Sequence, residues 1–187
     1  GGNNEIAPAK DDVIAAFYSY NEGTTKLQWT AFKTNERIGV AGGFNEIDIT
    51  GDSSDDPKEV IKSLVFSIKT SSVETNNADR NGKIVKHFFE TIKTTVISGK
   101  VKSLGENGKA IIEIMMNNIT IDVEGDYTIV DTDFSFSSMI DVTSWQAMGG
   151  ISALNAICKD LHTGQDGVSK LWSEIELSFS TSLKKTI

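Results

Sequence analysis

The chain has 187 residues, of which 39% are hydrophobic and 24% charged, with a formal net charge of −8 and a pI near 4.8. That is the length of one domain with enough apolar content for a packed core, which excludes an intrinsically disordered chain. The acidic balance argues against nucleic-acid binding, which draws on clustered Lys and Arg, and the single cysteine, Cys158, rules out an internal disulfide.

Residues 1–5 read Gly-Gly-Asn-Asn-Glu, polar and flexible, and fit a processed or a truncated start; removal of a signal segment would leave such a start in an exported protein. Residues 11–20 predict a short helix, capped by Asp11 or Asp12 ahead of Val13, Ile14 and Phe17. From Lys26 the pattern changes to short runs of alternating apolar residues. Leu27, Trp29 and Ala31 form the first set, and Gly39, Gly42 and Gly43 surround the next strand pattern, where glycines allow a bulge or sharp bend. Residues 52–56 are acidic but lack the ordered ligands of a calcium loop, and they read as a solvated turn ahead of Pro57. Leu64, Phe66 and Ile68 make the second set. Residues 77–90 predict a helix, with Ile84, Val85, Phe88 and Phe89 at helical spacing.

Lys100 and Lys102 read as the solvated face of a strand. Glu106-Asn107-Gly108 is a hairpin signal, because Asn-Gly supplies the positive φ angles that tight turns need. Ile112, Ile114 and Met116 follow as the third set, Asn117-Asn118 as a turn, and Ile119, Ile121 and Val123 as the fourth. Gly125-Asp126 reads as another turn, and Phe134 with Phe136 opens the fifth set. Trp145, Met148, Ile151, Leu154, Ile157, Cys158 and Leu161 then recur at steps of three and four, predicting an amphipathic helix that stops at Gly164. Its Gly149-Gly150 pair costs about 1 kcal/mol per glycine against alanine. Ile175, Leu177, Phe179 and Leu183 form the sixth set.

Strands apolar on one side fit an antiparallel sheet, not the doubly hydrophobic strands of a parallel one. The expected organisation is a flexible start with a short helix over 1–25, then one β domain over 26–187. No run approaches the ~18 apolar residues of a membrane-spanning helix. His87 and His162 lack partners at ligand spacing, so no metal site is expected, and Cys158 with His162 reads as a core thiol beside a helix-end imidazole. No nucleophile elbow, phosphate-binding loop or dinucleotide fingerprint occurs, so no catalytic residue and no cofactor are assigned.

Residues 69–80, Lys-Thr-Ser-Ser-Val-Glu-Thr-Asn-Asn-Ala-Asp-Arg, with Phe88-Phe89-Glu90 downstream, resemble the Ser-Val-x-Thr…Arg…Phe-Phe signature of the YceI-like family. Residues 27–33 followed by Gly42-Gly43-Phe44 are similar to that family's opening hairpin, and Gly125-Asp126-Tyr127-Thr128 resembles its later Gly-Asp-Leu-Thr turn. The resemblance implies an all-β fold, a closed antiparallel lipocalin-like barrel of about eight strands with a few short helices, one inserted near the C-terminus. It also implies a periplasmic protein of the cell envelope whose barrel holds an isoprenoid, a quinone-like chain or a fatty-acid derivative. The likeness ends after Phe136, where Asp141-Val142-Thr143-Ser144-Trp145 and a helix replace the family's Arg-x-x-Phe-Gly element, and Asn81 stands where the family carries Asp.

A barrel interior is filled by side chains or by a ligand. The inward candidates are Trp29, Phe44, Phe66, Ile68, Phe88, Phe89, Ile114, Phe134 and Trp145, and the same residues would equally build a dry core. Arg80 and His87, near the Phe88-Phe89 pair, are the expected contacts to an anionic or carbonyl head; for Arg80 the alternative is a surface ion pair with Asp79 or Glu90. The expected function is non-catalytic carriage of a long apolar or amphiphilic ligand, with no nucleic-acid partner. A membrane tether would need a lipidated cysteine ahead of this sequence, and both monomer and homodimer remain open. A ligand-free envelope stress or interaction protein, using the surface of residues 145–161, is the alternative, and a hydrolase or isomerase would need a histidine or carboxylate in the tunnel.

Overall fold

A computed structural model describes residues 16–187. Its strands are β1 (Phe17–Ser19), β2 (Lys26–Lys33), β3 (Ile38–Phe44), β4 (Ile47–Thr50), β5 (Val65–Lys69) and β6 (Val73–Glu74), then β7 (Val96–Leu104), β8 (Lys109–Met116), β9 (Ile119–Val130), β10 (Asp133–Asp141), β11 (Glu174–Ser182) and β12 (Lys184–Thr186). Ten of them form one strongly curled antiparallel sheet in the order β4-β5-β7-β8-β9-β10-β11-β2-β3-β6, and β1 pairs with β12. Only Asn45 and Glu46 separate β3 from β4, and residues 70–72 separate β5 from β6. Across both interruptions the Asn45 amide donates to the Ser72 carbonyl (2.9 Å) and the Lys69 amide to the Glu46 carbonyl (3.1 Å).

Alternation sets the faces, since successive side chains in a strand point to opposite sides. Leu64 and Ile68 are buried while Val65 between them is exposed, and Val101 is buried between exposed Lys100 and Lys102. The hairpin signals hold where positive φ is needed: Gly108 has φ 77° in the β7–β8 turn, and Asn117 and Asn118 have 53° and 58° in the β8–β9 turn.

Gly125 and Asp126, expected to turn, instead lie inside β9, paired with Ala110 and Lys109, and the chain turns after Val130, with Asp131 at φ 55°. Gly125 is there for close approach: a Cβ on it would sit 2.5 Å from the Phe136 ring and against the Ser137 carbonyl oxygen. The same arrangement sets Phe66 on Gly99 and Trp29 on Gly42, both directly cross-strand. Inward aromatic rings thereby lie against the wall of the sheet instead of crossing its interior.

Of the helix expected over 11–20, residues 11–15 lie outside the described residues, and Phe17–Ser19 is a strand. Tertiary pairing decides this: Tyr18 sits opposite Lys185 and exchanges backbone hydrogen bonds with Ser54. Residues 52–56 are irregular and largely exposed, as the solvated turn expected ahead of Pro57, and they lead into a short helix that was not expected. Asp56 caps α1 (Pro57–Lys62), its carboxylate accepting from the Lys58 amide at 2.9 Å, and Pro57 occupies the first turn. Val60 and Ile61 of α1 are 0% exposed. Because α1 joins β4 to β5, it plugs the end of the curled sheet that also carries the β7–β8 and β9–β10 turns.

The other end is roofed by the remaining helices. Asn77 caps α2 (Ala78–Lys83), which continues into a π-helical turn over Ile84–Phe89. A 3₁₀ turn over Val142–Trp145 ends at Gln146 with φ 54°, and α3 (Met148–Ile157) follows. The one long helix expected from Trp145 is therefore broken at Gln146. Trp145 and Ile151 face inward, whereas Met148, Ile157 and Leu161 remain about half exposed or more. Gly150 lets α3 settle on the π turn, since a Cβ there would stand 2.8 Å from the Phe88 ring.

Candidate ligand-binding site

The curled sheet and its roof enclose a cavity of about 350 Å³. Trp29, Phe44, Phe66, Ile68, Ile114 and Phe134 line it from the strands, and Arg80, Phe88, Phe89 and Trp145 from the roof. Ten of the eleven residues singled out from the sequence thus share one cavity. His87 is not part of the lining. The i, i+5 spacing of the π turn puts Ile84 and Phe89 on one inward face, and His87 falls off that face, its carbonyl accepting from the Thr91 hydroxyl at 2.7 Å.

The aromatic side chains gather in two groups. Phe88 and Phe89 meet edge to face at 5.0 Å, Phe89 lies 6.2 Å from Phe44, and Phe134 lies 6.3 Å from Tyr127 and 6.0 Å from Phe179. Trp145 forms a floor under the roof at 1% exposure, its indole N–H donating to the Ile114 carbonyl at 3.1 Å. Asn117, held in the left-handed region by the β8–β9 turn, donates its amide to the Trp145 carbonyl at 2.9 Å.

Charged side chains enter the lining at one place. Lys33, Asp79, Arg80 and Lys83 gather at the mouth between α2 and the segment after α3, beside His162. Arg80 makes neither of the ion pairs expected for a surface arginine: Asp79 bonds Lys83 at 2.9 Å, and no carboxylate among the described residues pairs with Arg80. Lys33 continues the inward parity of Leu27, Trp29 and Ala31, a signal present in the sequence. His162 carried no such signal, because the strand-like segment after α3 places it: Lys170 donates its amide to the His162 carbonyl, and Leu171 bridges to Lys33. Asn81 has a structural task, its amide oxygen accepting from the Thr75 amide (2.8 Å) and hydroxyl (2.6 Å) and its N–H donating to Glu74 (2.8 Å).

His162 donates Nδ1–H to the Asn155 side-chain oxygen at 2.8 Å. Burial lowers its pKa below the ordinary 6.5, and the Lys33 and Arg80 charges push the same way. A depressed histidine is neutral in the fold and takes up a proton more readily when unfolded. Its contribution is therefore fully present above 6.5 and is lost as pH falls toward the folded value. The melting temperature is expected to drop on acidification through that window, and a His162→Gln variant followed by thermal melts at each pH should show a flatter profile. Burial pushes the Cys158 thiol up, which keeps it protonated and unreactive at neutral pH.

No curated protein matches the sequence. Among solved structures, a polyisoprenoid-binding domain from Saccharophagus degradans, described as implicated in plant cell wall breakdown, is similar at 14% identity and a TM-score of 0.61, over 92% of this chain and 99% of that one. BcnA of Burkholderia cenocepacia is similar at 11% identity and a TM-score of 0.59, over 90% and 100% of the two chains. A Campylobacter jejuni YceI protein is similar at 19% identity and a TM-score of 0.56, over 80% and 86%. These likenesses concern the fold. The sequence model of the YceI-like domain matches residues 18–183, nearly the whole described chain, and the chain therefore belongs to the YceI-like family.

Proposed function

We propose that the protein binds a long apolar or amphiphilic lipid, an isoprenoid, quinone-like or fatty-acid chain, inside the curled sheet and carries it without chemical change. The observation that carries this reading is the 350 Å³ cavity with an almost wholly apolar wall, a size within the ~300–1,000 Å³ typical of ligand pockets. The polyisoprenoid-binding description of the Saccharophagus degradans relative supports the ligand class. We also read β3 with β4, and β5 with β6, as single bent strands, supported by the hydrogen bonds across residues 45–46 and 70–72. The sheet then counts as eight strands closed on themselves, a size just wide enough for one ligand.

Binding would run on transfer of apolar surface out of water. Each methylene contributes about 0.8 kcal/mol, so ten bring about 8 kcal/mol, enough to outweigh part of the association cost and leave useful affinity. Native mass spectrometry of purified protein followed by organic extraction tests the reading. A mass surplus that releases a prenyl or acyl lipid is expected. A clean apo mass with no uptake of added long-chain lipids overturns it, and favours the second reading, an interaction protein working through the half-exposed Met148, Ile157 and Leu161. An envelope location belongs to the proposal and is tested by fractionation of the source cells.

A further inference from the structure

Two half-buried cations stand at the mouth of an apolar cavity without carboxylate partners. Three carboxylates of this end are already engaged, Asp79 with Lys83 at 2.9 Å, Glu174 with Arg37 at 3.1 Å, and Asp166 with the Asn35 amide at 2.7 Å. Lys33 and Arg80 have no ion pair among the described residues, although the chain carries an excess of acidic groups and a net charge of −8. Unpaired cations at the entrance to a low-dielectric cavity are costly unless a partner arrives with the ligand. No carboxylate other than the engaged Asp79 lines the cavity, so nothing there repels an incoming anion.

We infer that the mouth selects amphiphiles with an anionic head, a carboxylate or a phosphate, held between Lys33 and Arg80 while the chain fills the cavity. This deepens the lipid-binding reading and rests on it. Arg80 offers a planar fork suited to two parallel hydrogen bonds with either head, and Lys33 a compact charge from the facing strand. The neutral His162 beside them adds no charge of its own at neutral pH. The cationic mouth reverses locally the repulsion that the acidic surface exerts on an anionic lipid.

The experiment compares delipidated full-length protein binding hexadecanoate and hexadecanol, and in a second arm farnesyl phosphate and farnesol, by calorimetry at about pH 8, where both acids are ionised. The wild type is expected to prefer the charged member of at least one pair by about tenfold or more. The arm in which the preference appears names the head as carboxylate or phosphate. In the double variant Lys33→Gln, Arg80→Gln the preference should vanish, and Lys100→Gln on the outer face should keep it. Equal affinity for charged and neutral members in both arms overturns the anionic selection while leaving the lipid cavity standing. A preference that survives in the double variant overturns the assignment to Lys33 and Arg80. Failure of all four probes to bind overturns the lipid-binding reading itself. The wild-type comparison decides the selection even where a variant does not fold.

Discussion

Replacing Trp145 with alanine is expected to lower folding stability by about 3–5 kcal/mol, the range for deleting a large buried aromatic side chain. The ring is 1% exposed, supports the roof, and donates its indole N–H to the Ile114 carbonyl on β8. Its removal opens a void continuous with the cavity, so the walls cannot close over it without moving the 3₁₀ turn and α3 together. Trp145→Phe should recover most of the loss and retain a deficit of about 1 kcal/mol, the net worth of one hydrogen bond. Urea denaturation of the three proteins measures both differences. A Trp145→Ala loss below about 1 kcal/mol, the level of an ordinary surface change, would show that the roof holds without the ring.

Gly99→Ala is the second substitution with a large expected effect, a loss of about 1–3 kcal/mol from overpacking. The added methyl would stand 2.5 Å from the Phe66 ring and collide with the Glu113 carbonyl oxygen of β8, which is fixed in the ladder. The ring is the softer of the two neighbours and is expected to swing off the wall into the cavity, reducing lipid uptake as well as stability. Adding Phe66→Leu to Gly99→Ala should restore uptake but only part of the stability, because the backbone clash persists. Denaturation together with a lipid-uptake assay on the single and double variants separates the two contributions.

Much of this fold is legible in the sequence because the sheet has one dry face. Parity alone identifies Leu27, Trp29, Ala31, Leu64, Phe66, Ile68, Ile112, Ile114 and Phe134 as inward, and all of them line the cavity. Parity would also have found Lys33, had a cation been admitted to an apolar register. Local turn chemistry misleads at Gly125-Asp126, where glycine serves close packing by Phe136 and not chain reversal. The turn expected over residues 52–56 is present, and what went unread is the helix that Asp56 and Pro57 start, whose Val60 and Ile61 are buried only by tertiary contact. The sequence favours His87 over His162 as the contact to a head group, the reverse of their placement, because the long segment joining α3 to β11 and the π turn decide which of them reaches the mouth.

The rings laid against glycines also give the cavity a built-in reporter. The α-hydrogen of Gly99 that stands where a side chain would begin lies against the Phe66 ring, and those of Gly42 and Gly125 lie against Trp29 and Phe136. Circulating π electrons shift the magnetic resonance of any proton held so close, so these three glycines should resonate well apart from ordinary strand glycines. A guest that presses the rings harder to the wall, or prises them from it, would move those signals without any label on the protein.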